Sequence, residues 1–422
     1  MRIQKTFAPI AFSYILALLF LSLFVLSLSL ASAAQTLTVL HGFTNGGDGG
    51  GPAGTLILDG SGNLYGTTYI GGAHGVGTVY KLSHRGSGWV LSTLYTFTGG
   101  SDGSYPAAGV TIGPNGRLYG TTGSGGNHGC DGGGCGVLYE LRPPTTICGA
   151  LSCPWIQTIV HQFTGGDDGG LPSNGSLVFD SAGNMYGTTQ IGGPPNQGTV
   201  YKVQRSGGSW IESILYSFHR DGVDGKMPAA GVILDQAGNL YGTTAYGGLF
   251  SNGTAFKLTP QGSGWTEQVL QDFPGPAGAM PLAGLILDGA GNLYGATLTG
   301  GAGAGGNVYE LSPPGSYSNF TELYDFVAFT DNSGPASVPV LDASGNLYGS
   351  RAGSISGNDA GSIYKLTNNG GSWTEITLYN FAGGSDGSNP IGGVTRDSHG
   401  NLYGTTFYEG PGGAGMVWEI TP

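Results

Sequence analysis

The sequence predicts an all-β fold, a seven-bladed β-propeller of four-stranded blades whose ring is closed by the N-terminal strand completing the last blade. A Gly-Asn-Leu-Tyr-Gly-Thr-Thr segment recurs about every 55 residues, a period typical of propeller blades. Each repeat holds four short apolar runs separated by glycine-rich turns. The 85 glycines accompany 11% aromatic residues, as in chains with many strands and tight turns. The repeat tyrosines are Tyr65, Tyr119, Tyr186, Tyr241, Tyr294, Tyr348 and Tyr403.

The four runs of each repeat are interpreted as strands one to four of a blade. Strand one is a short apolar run such as residues 283–287, and strand two is the Asn-Leu-Tyr-Gly-Thr-Thr segment. Strand three resembles residues 198–203, and strand four begins with Trp and ends with Phe, as in residues 373–381. No helical period follows the first 34 residues, so no helix is expected there.

The two ends of the chain predict how the ring closes. The phenylalanine that ends strand four occurs seven times, and the first, Phe43, precedes every repeat. The last repeat stops after a third strand, at residues 415–420. Residues 36–43 are therefore expected to supply strand four of blade seven, which leaves neither terminal blade with an open edge.

Residues 1–34 predict a signal peptide. Arg2 and Lys5 precede a long apolar run, and residues 31–34 (Ala-Ser-Ala-Ala) offer a small-x-small cleavage site. The run is long enough to span a bilayer, so an uncleaved anchor is the alternative. In both cases residues 35–422, the predicted propeller, are expected to be exported and to be secreted, periplasmic or at the cell surface.

The charge balance excludes several partners. The net charge is −12, and only 9% of residues are charged. Nucleic-acid affinity comes mostly from Lys and Arg on phosphates, so no nucleic acid is expected as a partner. Anionic lipid is disfavoured for the same reason, and no membrane insertion is expected beyond the N-terminal leader. We expect a monomer.

Four cysteines lie within one window, Cys130, Cys135, Cys148 and Cys153. They belong to an insertion at about 127–154 in blade two, where the repeat spacing is roughly a dozen residues longer than elsewhere. In an exported protein an even, clustered set predicts disulfides. The preferred pairing is two local loops, 130–135 and 148–153, and a zinc site of four thiolates is the alternative.

Two kinds of loop are expected on one face of the ring, around the mouth of the central channel. The loops that lead from strand four into the next blade carry an Asp-Gly-x-x-Pro motif, and those between strands two and three carry a Gly-Gly pair. Blade five has Gly278 where the aspartate is expected. The aspartates are Asp48, Asp102, Asp168, Asp224, Asp331 and Asp386.

Two interpretations of these aspartates remain open. Each carboxylate can close its own turn by accepting backbone N–H groups, with Gly supplying the positive φ. Alternatively the carboxylates bind Ca²⁺ or sugar hydroxyls. Ca²⁺ takes six to eight oxygens, so aspartates spread around a ring would each need local carbonyls as well. No cofactor is expected, with Ca²⁺ as the alternative.

The aromatic residues divide into periodic and non-periodic sets. A tryptophan opens strand four in five blades, and a periodic position of this kind is typical of packing between blades rather than of a sugar-stacking surface. Tyr69, Tyr246 and Tyr408, together with Phe250 and Phe407, lie in or beside the Gly-Gly loops and break the pattern. They are the better candidates for stacking on sugars. The tryptophans are Trp89, Trp155, Trp210, Trp265 and Trp373.

No catalytic residue is predicted. Residues 99–103 and 383–387 match G-x-S-x-G, but they lie between two strands rather than at the strand-to-helix turn that a nucleophile elbow requires. The seven histidines do not recur by blade.

The repeats resemble the bacterial tandem-repeat proteins called choice-of-anchor tandem repeat GloVer-containing proteins. The Gly-Asn-Leu-Tyr-Gly-Thr-Thr segment, the Gly-Gly pair, the Gly-Thr-Val-Tyr-Lys-Leu run and the Asp-Gly-x-x-Pro loop carry the resemblance, which spans residues 35–422. The resemblance implies an exported repeat protein and attaches no activity. Such proteins often end in an anchoring segment, whereas this sequence stops at Pro422 with blade seven, which favours secretion or periplasmic residence over surface anchoring.

These features lead to one function and two alternatives. The leading hypothesis is a non-enzymatic binding module for a polysaccharide or surface protein that uses the loop face. An exported enzyme of lyase or lactonase type at the channel mouth is one alternative, and a passive envelope or structural protein is the other. The fold by itself does not decide among them.

Overall fold

The computed structural model describes residues 35–86, 88–126, 129–144, 154–172, 175–313, 319–328, 334–353 and 359–421. These residues form seven four-stranded antiparallel sheets arranged in a ring, which confirms the predicted seven-bladed propeller. Within these ranges the one helical turn is a 3₁₀ turn at Gly384–Asp386. In the same ranges no helix is long and apolar enough to cross a membrane.

The strands of the first four blades follow the repeats in order. Blade one contains β2 (Ile57–Leu58), β3 (Leu64–Thr68), β4 (Thr78–Arg85) and β5 (Gly88–Thr96). Blade two contains β6 (Thr111–Ile112), β7 (Leu118–Thr121), β8 (Val137–Arg142) and β9 (Ile156–Gln162). Blade three contains β10 (Val178–Phe179), β11 (Met185–Thr189), β12 (Thr199–Ser206) and β13 (Ser209–Ser217). Blade four contains β15 (Ile233–Leu234), β16 (Leu240–Thr244), β18 (Thr254–Gln261) and β19 (Gly264–Asp272), and its loops form the extra pair β14 (Gly225–Lys226) and β17 (Tyr246–Gly247).

The last three blades complete the ring. Blade five contains β20 (Ile286–Leu287), β21 (Leu293–Thr297), β22 (Ala304–Ser312) and β23 (Asn319–Val327). Blade six contains β24 (Val340–Leu341), β25 (Leu347–Arg351), β26 (Ser362–Asn368) and β27 (Trp373–Asn380). Blade seven contains β28 (Val394–Arg396), β29 (Leu402–Thr406), β30 (Met416–Thr421) and, as its fourth strand, β1 (Thr36–Gly42).

The N-terminal strand closes the ring as predicted. β1 pairs antiparallel with β30, with Thr36 opposite Thr421 and Gly42 opposite Met416. This pairing joins the two ends of the described chain in one sheet, so the last sheet has its full four strands.

The innermost strands are shorter than predicted. Residues 283–287 were expected to form strand one of blade five, but only Ile286–Leu287 pair as β20. The preceding residues run close to the backbone of the neighbouring blade. At the equivalent place between blades one and two, a Cβ added to Gly54 would lie 2.2 Å from the Gly109 nitrogen. These glycines allow a backbone approach that a side chain would block.

The hydrophobic core lies between blades, because each sheet buries both faces against its neighbours. One cluster unites Tyr65 and Val79 of blade one with Leu118 and Tyr139 of blade two. Six further clusters of the same kind fill the other interfaces. The predicted packing role of the tryptophans is seen at Trp89, whose ring lies 6.2 Å from that of Tyr403 in the neighbouring blade.

The hairpin between strands one and two is held by a single carboxylate. In blade one, Asp59 Oδ1 accepts the N–H groups of Ser61 and Asn63 at 2.9 Å, and Oδ2 accepts the Asn63 amide and the Tyr65 hydroxyl. Burial alone would raise the pKa of Asp59, but these hydrogen bonds outweigh it and hold the pKa below its usual value. The same four contacts recur at Asp180, Asp235, Asp288, Asp342 and Asp397.

Candidate functional site

The two predicted loop classes lie side by side on one face, which we call the loop face. In blade one, Gly50 of the incoming loop and Ile70 of the strand two to three loop exchange backbone hydrogen bonds at 2.9 and 3.0 Å. Corresponding bridges join the two loops in the other six blades. The loop face is therefore a ring of paired loops around the central channel.

The aspartates of the incoming loops close their own turns. Asp48 accepts the N–H of Thr44 at 3.0 Å and its hydroxyl at 2.6 Å. Asp102 accepts the N–H of Thr98 at 2.8 Å, and Asp168 accepts that of Thr164 at 3.0 Å. Burial would raise the pKa of Asp48, but the contacts from Thr44 and His41 keep it below the usual value. These contacts are the ones expected if each aspartate closes its own turn.

Each of these carboxylates has a second partner on the strand that precedes it. His41 contacts Asp48 at 3.2 Å, and the Tyr95 hydroxyl donates to Asp102 at 3.1 Å. In blade seven's incoming loop, Asp386 accepts the Ala382 N–H and the Tyr379 hydroxyl, both at 2.7 Å. Asp331 lies outside the described residues.

The loop of blade five corrects the sequence alignment. A Cβ added to Gly278 would meet the Thr297 side chain at 2.7 Å, just as one on Gly49 would meet Thr68 at 2.2 Å. Gly278 therefore occupies the glycine position that follows the aspartate, and Ala277 occupies the aspartate position. The Asn307 amide donates to the Ala277 carbonyl at 3.1 Å in this loop.

Two acidic residues interact in blade four, Asp224 of its incoming loop and Glu267 of β19. Asp224 accepts the His219 N–H at 2.7 Å and the Tyr216 hydroxyl at 2.8 Å, both through Oδ2. Its Oδ1 is buried and has no hydrogen-bond partner among the described residues. Burial, followed by the charges of Asp224, Asp221 and Asp272, raises the pKa of Glu267 to about 8. Glu267 therefore keeps its proton to a higher pH than a solvent-exposed glutamate does.

The described residues contain no group of three or more His, Cys, Asp or Glu side chains placed to hold a metal ion. Each described aspartate of the incoming loops uses at least one carboxylate oxygen in its own turn. A Ca²⁺ site in these loops stays a prediction.

The loop face carries one aromatic cluster, formed by Tyr69, Tyr105, Phe407 and Tyr408. The ring centroids of Tyr69 and Tyr105 are 5.1 Å apart, those of Tyr69 and Phe407 are 6.2 Å apart, and those of Phe407 and Tyr408 are 4.7 Å apart. Tyr408 is 54% exposed, and the other three rings are half-buried. The cluster joins blades seven, one and two.

Local backbone features create the room for this cluster. Gly51 has φ +60°, and a Cβ there would lie 3.1 Å from the Phe407 ring. At the equivalent position, directly before the proline, blade two has Tyr105 with φ +58°, and blades three to five have Leu171, Met227 and Met280. Blade six also has a glycine here, Gly334, where an added Cβ would meet the Leu298 backbone, so Gly51 is the position of these six at which a neighbouring ring occupies the space of a side chain.

A small pocket of about 200 Å³ opens beside the aromatic cluster. Phe407, Tyr408 and Ile70 line it together with the polar residues Thr44 and Asn45. Asn45 is exposed and lies beside the exposed Tyr408 ring. This combination of an apolar ring and neighbouring amide and hydroxyl groups suits a ligand that has both C–H and O–H surface.

The predicted tyrosines are only partly brought together. Tyr69 and Tyr408 lie in the same cluster, joined through Phe407. Tyr246 lies in blade four, is half-buried and pairs with Lys226 in the β14–β17 ribbon. Tyr105 was not predicted from the sequence, although the residue before the loop proline varies strongly between otherwise similar repeats.

The central channel has small and aliphatic walls. A cavity of about 340 Å³ is lined by residues of strand one and of the segment before it, among them Ala108, Ala230, Ala283, Val338 and Val394. The carbonyl oxygens of the three alanines accept hydroxyl hydrogen bonds from strand-two threonines at 2.8 to 2.9 Å. None of the described residues that line the channel is ionisable.

One disulfide stabilises the loop face. Cys130 and Cys135 are bonded, which confirms the first of the two predicted pairings. The bridge packs against the next incoming loop, because a Cβ on Gly165 would lie 2.8 Å from the Cys130 sulfur. Cys148 and Cys153 lie outside the described residues.

Comparisons with known proteins give one strong match and several weak ones. The model of the Gloeobacter/Verrucomicrobia repeat matches residues 27–152, 132–316 and 232–422. No curated protein matches the chain. A solved structure of a candidate 6-phosphogluconolactonase from Bacteroides uniformis is 13% identical with a TM-score of 0.49, over 81% of this chain and 88% of that one.

Two further solved structures are similar at the same level of identity. PorZ, a surface component of the type-IX secretion system of Porphyromonas gingivalis, is 13% identical with a TM-score of 0.48, over 88% of this chain and 47% of that one. A candidate glucose dehydrogenase from Thermus thermophilus is 13% identical with a TM-score of 0.41, over 92% of this chain and 100% of that one. These likenesses are too weak to indicate a function.

Proposed function

The chain belongs to the Gloeobacter/Verrucomicrobia repeat family, and from that premise we propose that it is an exported binding module whose aromatic cluster holds a neutral polysaccharide. The observation that carries the proposal is the meeting of Tyr69, Tyr105, Phe407 and Tyr408 on the loop face. Aromatic rings beside amide and hydroxyl groups match the alternating apolar and polar surface of a sugar.

The size of the pocket supports an extended polysaccharide as the ligand rather than a compact small molecule. At about 200 Å³ the pocket is smaller than the ~300–1,000 Å³ typical of sites for drug-sized molecules. It would take one sugar ring, with the neighbouring rings of the polysaccharide lying across Tyr69 and Tyr105. An extended ligand of this kind suits an open loop face.

The charge supports a neutral polysaccharide over an acidic one. The chain has a net charge of −12, and Asp48 and Glu409 lie in the loops that carry the cluster. Uronate or sulfate groups would be repelled by this field, whereas neutral sugars would not.

Export is supported by the disulfide between Cys130 and Cys135 and by the signal peptide predicted at residues 1–34. Disulfides persist in oxidising compartments and are rare in the cytosol. Secreted, periplasmic and cell-surface locations all satisfy this condition.

Affinity electrophoresis of the full-length protein in gels that contain neutral or acidic polysaccharides tests the proposal. A β-glucan, a xylan and a mannan serve as neutral probes, and alginate serves as the acidic one. We expect retardation by at least one neutral probe and none by alginate. Retardation by alginate alone would contradict the preference for a neutral polysaccharide, and retardation by no probe would contradict the proposal and favour the envelope-structural alternative.

Substitution locates the site. Tyr408→Ala is expected to weaken binding roughly three- to tenfold, because stacking contributes about 0.5–1.5 kcal/mol beyond area burial. Phe250→Ala is the matched control, since Phe250 is 53% exposed on the loop face of blade four but lies outside the cluster. Equal losses for the two variants would show that the ligand does not use the cluster.

A further inference from the structure

Five blade interfaces share a tryptophan that packs in one cluster with the strand-two tyrosine of the preceding blade. The Trp210 ring, for example, lies 6.2 Å from that of Tyr119, and the Trp89 ring lies 6.2 Å from that of Tyr403. An apolar strand-one residue, such as Phe179 in blade three, packs in the same cluster. The tryptophans are Trp89, Trp155, Trp210, Trp265 and Trp373, and their apolar partners are Leu58, Ile112, Phe179, Leu234 and Leu341. At the interface between blades four and five the corresponding residue is Ser318, which lies outside the described residues.

The seventh interface, between blades six and seven, lacks both members of this pair. Gln35 stands in the tryptophan position, at the same distance before Phe43 as Trp89 stands before Phe97. Arg396 stands in the apolar position, directly before the hairpin aspartate and opposite Leu402. Two polar residues thus replace an indole and an aliphatic side chain at this one interface.

The replacement leaves a cavity of about 270 Å³ on the face opposite the loop face. Tyr348, Leu378 and Ile420 form its apolar wall, and Gln35, Lys365, Arg396 and His399 form its polar wall. The position beside Tyr348 that a tryptophan occupies at five other interfaces therefore holds no aromatic ring.

The polar wall is cationic and has unused hydrogen-bonding capacity. The Arg396 guanidinium lies 5.9 Å from the centre of the Tyr348 ring, and the Lys365 Nζ lies 5.5 Å from it. Arg396 Nε and Gln35 Oε1 are buried without a hydrogen-bond partner among the described residues. None of the ion pairs in the described part of the chain involves Arg396 or Lys365.

The nearby carboxylates are already engaged. Asp342 accepts the Tyr348 hydroxyl at 3.0 Å, and Asp397 accepts the N–H groups and amide of its own hairpin. A lysine over the strand-two tyrosine also occurs in blades one, three and four, and in blades one and three a tryptophan packs in the same cluster as that tyrosine. The cationic character specific to this cavity therefore comes from Arg396.

We propose that this cavity binds a small aromatic carboxylate, whose ring packs over Tyr348 where five other interfaces place a tryptophan and whose carboxylate meets Arg396 and Lys365. A planar ring restores the edge-to-face contact that Tyr119 and Tyr403 have with their tryptophans. A carboxylate is the group that a guanidinium holds with the most favourable hydrogen-bond geometry. The site is separate from the aromatic cluster and does not depend on the proposed polysaccharide binding.

Indole-3-acetate is the probe, because it combines the missing indole with a carboxylate. Calorimetric titration of the full-length protein should detect its binding, and 3-methylindole and acetate should each bind at least tenfold more weakly, a difference of about 1.4 kcal/mol. The affinity for indole-3-acetate should fall as salt concentration rises. Equal binding of 3-methylindole, or no binding of indole-3-acetate, would overturn the proposal without any variant.

Three variants locate the site. Arg396→Leu and Gln35→Trp introduce the residues of the other blades, so both are expected to fold, and each should lower the affinity at least tenfold. Lys365→Met should weaken indole-3-acetate but not 3-methylindole, whereas the matched control Lys202→Met in blade three should change neither. Retained affinity in both Arg396→Leu and Gln35→Trp, or equal losses in the two lysine variants, would place the ligand elsewhere.

Discussion

Removal of one buried hydroxyl should stabilise this protein, whereas removal of its neighbour in the same blade should destabilise it. Tyr80 on β4 is fully buried, and its hydroxyl has no hydrogen-bond partner among the described residues. The hydroxyl lies over Gly66, where a Cβ would come within 2.5 Å of it. Blade four carries Phe256 at this position and packs in the same way over Gly242. Tyr80→Phe is thus a change that the chain already contains.

The magnitude follows from the environment of the two hydroxyls. A buried hydroxyl without a partner costs about 1–3 kcal/mol on mutational scales. The void left by one oxygen costs roughly 0.3 kcal/mol at ~24 cal/mol per Å³. Tyr80→Phe should therefore raise the free energy of unfolding by about 1 kcal/mol. Tyr65→Phe removes a 3.0 Å hydrogen bond to Asp59 and should lower it by about 1 kcal/mol.

Four such tyrosines make the effect measurable by scanning calorimetry. For a protein of this size, a change of 1 kcal/mol in the free energy of unfolding shifts Tm by about 1 °C, because the unfolding entropy is ~2.1 cal/mol/K per residue. Changing all four to Phe should raise Tm by roughly 4–5 °C, since each lies in a different inter-blade cluster and the effects should add. A lower Tm for this variant, or a higher Tm for Tyr65→Phe, would refute the reasoning. The four are Tyr80, Tyr139, Tyr309 and Tyr364.

Three further predictions test other parts of the fold. Gly66→Ala should destabilise by about 2–3 kcal/mol through overpacking, whereas Gly60→Ala, where no atom lies within 4 Å, should change little, and urea denaturation would show whether the two differ. Replacing Cys130 and Cys135 with Ser should lower the free energy of unfolding by about 2 kcal/mol, as expected for a short closed loop; unchanged stability would mean that the bridge adds nothing to the fold. The wild-type protein should lose stability as pH rises from about 4.5 to 8, because the pKa of Glu267 is about 8 in the folded state, above its unfolded value, and the native state keeps the proton to a higher pH. Glu267→Gln should abolish this loss of stability. The Tm of the variant should exceed that of the wild type at pH 8.5 and match it at pH 4, and an equal difference at both would contradict a role for this proton.

The parts of the fold that repeat were predictable from the sequence. The blade number, the closing role of β1 and the pairing of the two loop classes follow from a period that is visible in single residues. The assignment of residues to positions within a loop was less reliable from the sequence. Gly278, for example, occupies the position one residue after the one predicted for it. The length of strand one within a blade was overestimated, because an apolar run does not reveal that its first residues lie against a neighbouring backbone.

The candidate sites were only partly predictable. Tyr69 and Tyr408 stood out because they break the repeat, but so did Tyr246, which is not in the cluster. Tyr105 and the pair Gln35 and Arg396 were missed. Their departure from the repeat is visible in the aligned blades, but its consequence depends on which neighbour each residue faces.

The sequence by itself determined that four short strands and their turns recur, because apolar alternation, glycine at positive φ and a capping aspartate are local features of the chain. It also determined that the first strand completes the last blade. Only the tertiary structure decided which side chains of different blades meet. Closure of the ring brings Phe407 of blade seven beside Tyr69 of blade one, and it leaves Arg396 facing Tyr348 without an intervening indole. No local pattern encodes such contacts, because they join residues that the chain separates and that only the packing of whole blades brings together.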